Sequence, residues 1–98
     1  MPFERSVAHA FRVGSILAHA PSVSGVYGIS NAREWIFIGQ SDNIQRQLLD
    51  HLQEDGTFLK GRLPTGFVYE MCDDGVRAGR VDRLVQEYGP AANERRRK

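Results

Sequence analysis

Apolar and polar positions alternate along this chain at two different periods, and each change of period marks an element. Phe3, Val7, Phe11, Ile16 and Leu17 fall on roughly one stripe of a 3.6-residue repeat, which predicts an amphipathic helix from Glu4 to about His19. Gly14 weakens that helix and Pro21 ends it. Two short β-branched and aromatic runs follow, Gly25–Ser30 and Trp35–Gly39, on either side of the polar Asn31-Ala32-Arg33-Glu34. That arrangement predicts a hairpin. A turn centred on Ala32 sets Tyr27 opposite Phe37, so their rings share one sheet face while Val26, Ile36 and Ile38 take the other. Ser41, Asp42 and Asn43 offer capping oxygens ahead of Ile44–Leu52, in which Ile44, Leu48 and Leu52 recur at helical spacing. A loop runs through Asp55-Gly56 and the stretch from Gly61 to Gly66, and Phe67–Cys72 then reads as a third strand closed by Asp73-Asp74-Gly75. Val81, Leu84, Val85 and Tyr88 give a last helix over Val76–Tyr88, stopped by Gly89-Pro90. The order predicts an α+β fold: a small three-stranded antiparallel or mixed sheet flanked by helices, with an extra helix at the N-terminus.

Composition narrows what such a fold can do. A chain of 98 residues and 11.0 kDa suits one domain. With 41% hydrophobic and 26% charged residues it has enough apolar surface for a core and is not compositionally disordered. No run approaches the roughly 18 apolar residues of a membrane span, and the charged start MPFERSVAHAF is unlike a secretory segment, so a cytoplasmic protein without membrane contact is expected. Cys72 is the single cysteine, which excludes an internal disulfide and reads as a strand thiol in the interior. The formal charge is +1, but four of the 13 cations are Arg95, Arg96, Arg97 and Lys98; the remaining 9 stand against 12 acids, a balance of −3. So mild a charge argues against tight, sequence-independent binding to a phosphate backbone and leaves room for weak or local binding.

Gly25-Val26-Tyr27 and Phe37-Ile38-Gly39, then Ser41-x-Asn43 and His51, resemble the GIY-YIG nuclease family. Leu84-Val85-x-x-Tyr88-x-Pro90-x-x-Asn93 is similar to the family's closing helix and the motif after it, so the resemblance spans about residues 24–93 and leaves out residues 3–20 and the basic tail, 94–98. It implies hydrolysis of DNA phosphodiesters. In the family the first motif tyrosine activates water with help from the second, an arginine on the next helix holds the scissile phosphate, and a glutamate on the closing helix binds one divalent cation. Cation and arginine offset the charge that gathers on the phosphoryl oxygens, while the phenol positions the nucleophile.

Position by position, the chain departs from that pattern at three of four places. Tyr27 matches the first tyrosine; the second is Phe37, which keeps the ring and drops the hydroxyl. The arginine falls on Gln47, with Arg46 turned about 100° away on the helix. The metal-binding glutamate falls on Val81, and Asp82, Glu87 or Glu70 are the acids to consider as substitutes, Glu70 because the third strand has the geometry to aim it over the sheet toward Tyr27. His51 matches a histidine common in the family and sits one turn from Gln47, where it lines a phosphate-sized pocket or is simply a surface residue.

The expectation is therefore a GIY-YIG-like domain with a degenerate nuclease site, binding nucleic acid or a protein without cofactor. Tyr27, Gly39, Arg46, His51 and Asn93 are the residues expected at nucleic acid. The alternative is an endonuclease using Mg2+ or Mn2+ with Tyr27, His51, Arg46 and either Glu70 or Asp82. Trp35 and Tyr69 are candidates to stack on an unpaired base, with packing the simpler role, and His9 and His19 carry no assignment. The stripe of the N-terminal helix must be buried either across the chain's own sheet or against a second copy in a homodimer.

Overall fold

A computed structural model describes residues 8–31, 34–53 and 64–90. The elements are β1 (His9–Ala10), α1 (Val13–His19), β2 (Gly25–Ser30), β3 (Trp35–Ser41), α2 (Ile44–Gln53), β4 (Gly66–Met71) and α3 (Asp74–Tyr88). The sheet is antiparallel with strand order β1-β4-β2-β3. It therefore has four strands rather than the three expected, and the fourth comes from the segment assigned to the N-terminal helix. His9 pairs with Phe67 and Ala10 with Gly66, and the Phe11 amide extends the pairing by donating to the Thr65 carbonyl at 3.0 Å. Pairing with β4 satisfies backbone groups of His9 and Ala10 and of the sheet edge, while Gly14 is accommodated inside the short helix α1. Of the expected helix only seven residues remain, and its stretch before Ala8 lies outside the described residues.

The sheet divides two apolar layers. On one face Tyr27, Ile29, Phe37 and Phe67 pack with Phe11, Ile16 and Ala20 from the N-terminal segment and Ile44 and Leu48 from α2. The stripe carried by Phe11 and Ile16 is thus buried across the chain's own sheet, while Val13 and Leu17 point outward. On the other face Val26, Ile38 and Val68 pack against α3 through Leu84, with Val81, Val85, Trp35 and Tyr88 at the margin. Gly89 ends α3 in the left-handed conformation, φ 58°, and its amide returns to the Val85 carbonyl.

The hairpin register differs from expectation by two residues. Tyr27 pairs with Gly39 and Ile29 with Phe37; because the offset is even, Tyr27 and Phe37 keep a common face. Between the pairs Ile29–Phe37 and Ser30–Trp35 the register shifts, leaving Ile36 as the extra residue of a bulge. Ile36 consequently joins the Tyr27 layer instead of the Val26 face assigned to it by alternation.

His9 and His19 meet where β1 and α1 converge. Their rings stack with centroids 4.2 Å apart and planes 14° from parallel. Burial, and secondarily the neighbouring charge of His19, hold the His9 imidazole below its ordinary value of 6.5. A depressed imidazole pKa means that the folded chain binds fewer protons than the unfolded one, so this contribution to stability is complete above the ordinary value and declines as pH falls through it toward the lowered one. Thermal midpoints measured from about pH 7.5 down to about pH 5 are expected to fall, and less steeply in His9→Gln. Superimposable profiles for the two proteins would rule this coupling out.

Candidate functional site

The site is assembled where β2, β3 and α2 meet. Asn43 begins α2: its side-chain oxygen accepts from the Arg46 amide at 3.0 Å, and its own amide donates to the Ser41 hydroxyl at 2.9 Å. The amides of Ile44 and Gln45 donate to the carbonyls of Val23 and Pro21, and the Gln45 side-chain amide donates to the Ala20 carbonyl, which ties the start of α2 to the end of α1. With that end anchored, Ile44, Leu48 and His51 form the buried stripe of the helix. The last turn then delivers the His51 ring to the centre of β2.

There the Tyr27 hydroxyl and His51 Nε2 lie 2.8 Å apart in a hydrogen bond. Both residues are buried, at 2% and 7% exposure. Phe37 completes a ring cluster, 6.1 Å from Tyr27 and 5.3 Å from His51 by centroid. The two glycines of the hairpin motifs exist for steric reasons. A Cβ on Gly39 would come within 2.8 Å of the Tyr27 hydroxyl and 2.7 Å of the Phe37 ring, so the tyrosine can lie across β3 only because nothing projects there. A Cβ on Gly25 would meet the Glu70 carbonyl oxygen and, at 2.6 Å, Ile44 Cδ1. The motif glycines let β4 and α2 approach β2 at the distance the site requires.

Gln47, one turn before His51, is half-buried, whereas Arg46 and Asp50 are exposed on the outer side of α2. Tyr27, Phe37, His51 and Gly39 are thus gathered at one place, while Arg46 faces outward from α2. Asn93 lies outside the described residues.

The acids considered for a metal are elsewhere. Glu70 pairs with Val26, while Tyr69 is the residue opposite Tyr27, so Glu70 occupies the α3 face and does not reach over the sheet toward Tyr27. It accepts two hydrogen bonds from Arg80, from Nε and one terminal nitrogen, each 2.8 Å. Those bonds, foremost, raise the Arg80 pKa above its ordinary value. Val81 packs into the apolar layer with Val26, Ile38 and Leu84, and Asp82 is exposed. A divalent cation such as Mg2+ demands oxygen ligands. An aliphatic side chain at position 81, and a neighbouring carboxylate already held by a guanidinium, do not fit one. Among the described residues no three His, Cys, Asp or Glu side chains converge on a common point. Cys72, just past β4, is half-buried, and burial first and Glu70 second push its thiol pKa up, disfavouring the nucleophilic thiolate.

Trp35 packs on Tyr88 with centroids 4.6 Å apart, so its role is to join β3 to α3. Tyr69, in contrast, is half-buried beside the site, and the His9 ring lies 6.1 Å from it, 20° from parallel. Sequence reasoning assigned nothing to His9 and His19. Ten residues apart on different elements, they have no spacing that signals their contact.

No family model matches the sequence, and no curated protein does. Solved structures do. The GIY-YIG N-terminal endonuclease domain of UvrC from Thermotoga maritima, bound to magnesium as its catalytic divalent cation, superposes with a TM-score of 0.69 at 20% identity, covering 83% of this chain and 94% of that one. A tyrosine-to-phenylalanine variant of that domain, also bound to its catalytic divalent cation, matches at 0.69 and 21% identity over the same shares. An asparagine-to-alanine variant matches at 0.68 and 19%, covering 82% of this chain and 92% of that one. The chain has the fold of these domains.

Proposed function

We propose that this GIY-YIG fold serves as a non-catalytic module that binds nucleic acid, holding it at the Tyr27–His51 face without cleaving it. The observation that carries this is Val81: at the position the family resemblance gives to the metal-binding glutamate, an aliphatic side chain is packed with Val26, Ile38 and Leu84. Gln47 in place of the phosphate-holding arginine points the same way, since an amide can hydrogen-bond a phosphate oxygen but adds no charge to offset it. Phe37 removes the second phenol. The buried hydrogen bond between Tyr27 and His51 then has a structural use, locking α2 onto the sheet beneath the binding face. The UvrC domains with this fold are described as endonucleases, which supports nucleic acid as the partner class.

A second reading, a metal-dependent endonuclease of unusual constellation, has that same bond in its favour. A phenol 2.8 Å from an imidazole nitrogen is placed to pass a proton to it. It needs an acid other than Glu70, which Arg80 already holds.

The test is cleavage of supercoiled and branched DNA in Mg2+ or Mn2+, run beside an identically purified Tyr27→Phe protein. No nicking by either is expected. Metal-dependent nicking that vanishes in Tyr27→Phe overturns the non-catalytic reading in favour of the second. DNA retention is expected at low ionic strength and weakens as salt rises, because phosphate contacts release counterions. Indifference to both DNA and salt would instead move the partner to a protein, or to a second copy seated on the outward Val13 and Leu17 of α1.

A further inference from the structure

Three rings outside the Tyr27–His51 cluster form a near-parallel series on the same side of the sheet. His19 stacks on His9 at 4.2 Å and 14°, and His9 lies 6.1 Å and 20° from Tyr69. His19 is exposed; His9 and Tyr69 are half-buried. Tyr69 pairs across β4 and β2 with Tyr27, so the series runs from open surface directly to the candidate site. Each ring is fixed by a different element: α1 carries His19, β1 holds His9 beside Phe67, and β4 holds Tyr69. The platform exists only because the N-terminal segment adds its short strand to the sheet.

We propose that His19, His9 and Tyr69 form a stacking site for an unpaired nucleobase, and hence that the nucleic acid this chain binds is single-stranded or carries an extruded base. The proposal rests on the nucleic-acid reading above and specifies its ligand. Two further observations favour it. The chain carries 13 basic and 12 acidic residues, so phosphate contacts supply modest affinity and a neutral contact adds to it. Aromatic stacking is such a contact, and it tolerates any base because every base offers a π face. Bases inside a duplex are already stacked on one another and present only their edges, which restricts the ligand to unpaired ones. The spacing between His9 and His19 is close to that of stacked aromatic planes, and a base seated on exposed His19 continues the series by one ring.

Fluorescence anisotropy of the full chain with labelled oligothymidylate, with a strand of the same length made of abasic sites, and with a duplex tests this. Oligothymidylate is expected to bind about tenfold more tightly than the abasic strand. His19→Ala should lower the affinity for oligothymidylate to about that of the abasic strand while leaving abasic binding unchanged, and His19→Phe should restore it. His19 is exposed, so these variants are expected to fold, and circular dichroism checks that they do. Equal binding of oligothymidylate and abasic strand, or no effect of His19→Ala, overturns the stacking site and leaves nucleic-acid binding standing. Binding of the duplex alone does the same. Failure of all three probes to bind overturns both.

Discussion

Replacing Gly39 with alanine is expected to destabilise the protein by about 3 kcal/mol and to part Tyr27 from His51. The added methyl would stand 2.7 Å from the Phe37 ring and 2.8 and 2.9 Å from Oη and Cζ of Tyr27, all well inside van der Waals contact. Flexible surface side chains would yield at little cost. These rings cannot, since Tyr27 is 2% and Phe37 8% exposed and both are enclosed by Ile44, Leu48 and His51. Moving the tyrosine breaks its 2.8 Å hydrogen bond, so the overpacking cost comes with the loss of a buried polar contact, worth roughly 1 kcal/mol on average. Chemical denaturation of four proteins checks the cause: wild type, Gly39→Ala, Tyr27→Phe and the double variant. If the methyl strikes the hydroxyl, Gly39→Ala costs less in the Tyr27→Phe background, leaving a coupling of about 1 kcal/mol. Strict additivity would show that the clash lies with the rings at 27 and 37 and not with the hydroxyl.

The second large effect is expected at Glu70. Glu70→Ala should cost about 2–3 kcal/mol, somewhat below the range for breaking a fully buried pair, because both side chains retain a little solvent contact at 15% and 14% exposure. The loss comes mainly from Arg80, which keeps its charge but no longer has the two-pronged carboxylate at 2.8 Å, beneath an α3 that holds the far sheet face. The companion Arg80→Met tests this account. Removing the cation as well should recover part of the stability in the double variant, since a charge left buried without its partner costs more than no charge at all. A double variant no better than Glu70→Ala would show that packing, not charge, explains the loss. Metal-dependent protection of the wild type that disappears in Glu70→Ala would instead return Glu70 to the role of a metal acid.

Legibility differed among elements for identifiable reasons. The hairpin, α2, β4 and α3 were readable because each carries its period in consecutive residues, and Tyr27, Phe37, Gly39 and His51 on them lie in contact. The expected hairpin register was off by two, an error that preserves faces, so Tyr27 and Phe37 remained together. Ile36 was misassigned because a bulge interrupts the alternation on which the assignment relied. Glu70 was misdirected for a related reason: which of two adjacent residues faces Tyr27 depends on the register between β2 and β4, strands separated by some forty residues of chain.

What the sequence determined by itself was the kinds of element, their order and the chemistry available at the motif positions, since local periodicity, capping residues and side-chain identity are properties of neighbouring residues. The absence of a second phenol at 37, of a cation at 47 and of a carboxylate at 81 needs no coordinates. Tertiary structure alone decided which distant groups meet. It turned part of an amphipathic N-terminal stretch into an edge strand, because β4 offered backbone groups for His9 and Ala10 to pair with. It brought His9 onto His19, bound Tyr27 to His51 and took Glu70 to Arg80. Each contact joins residues on different elements, and their meeting depends on how the sheet and helices close on one another.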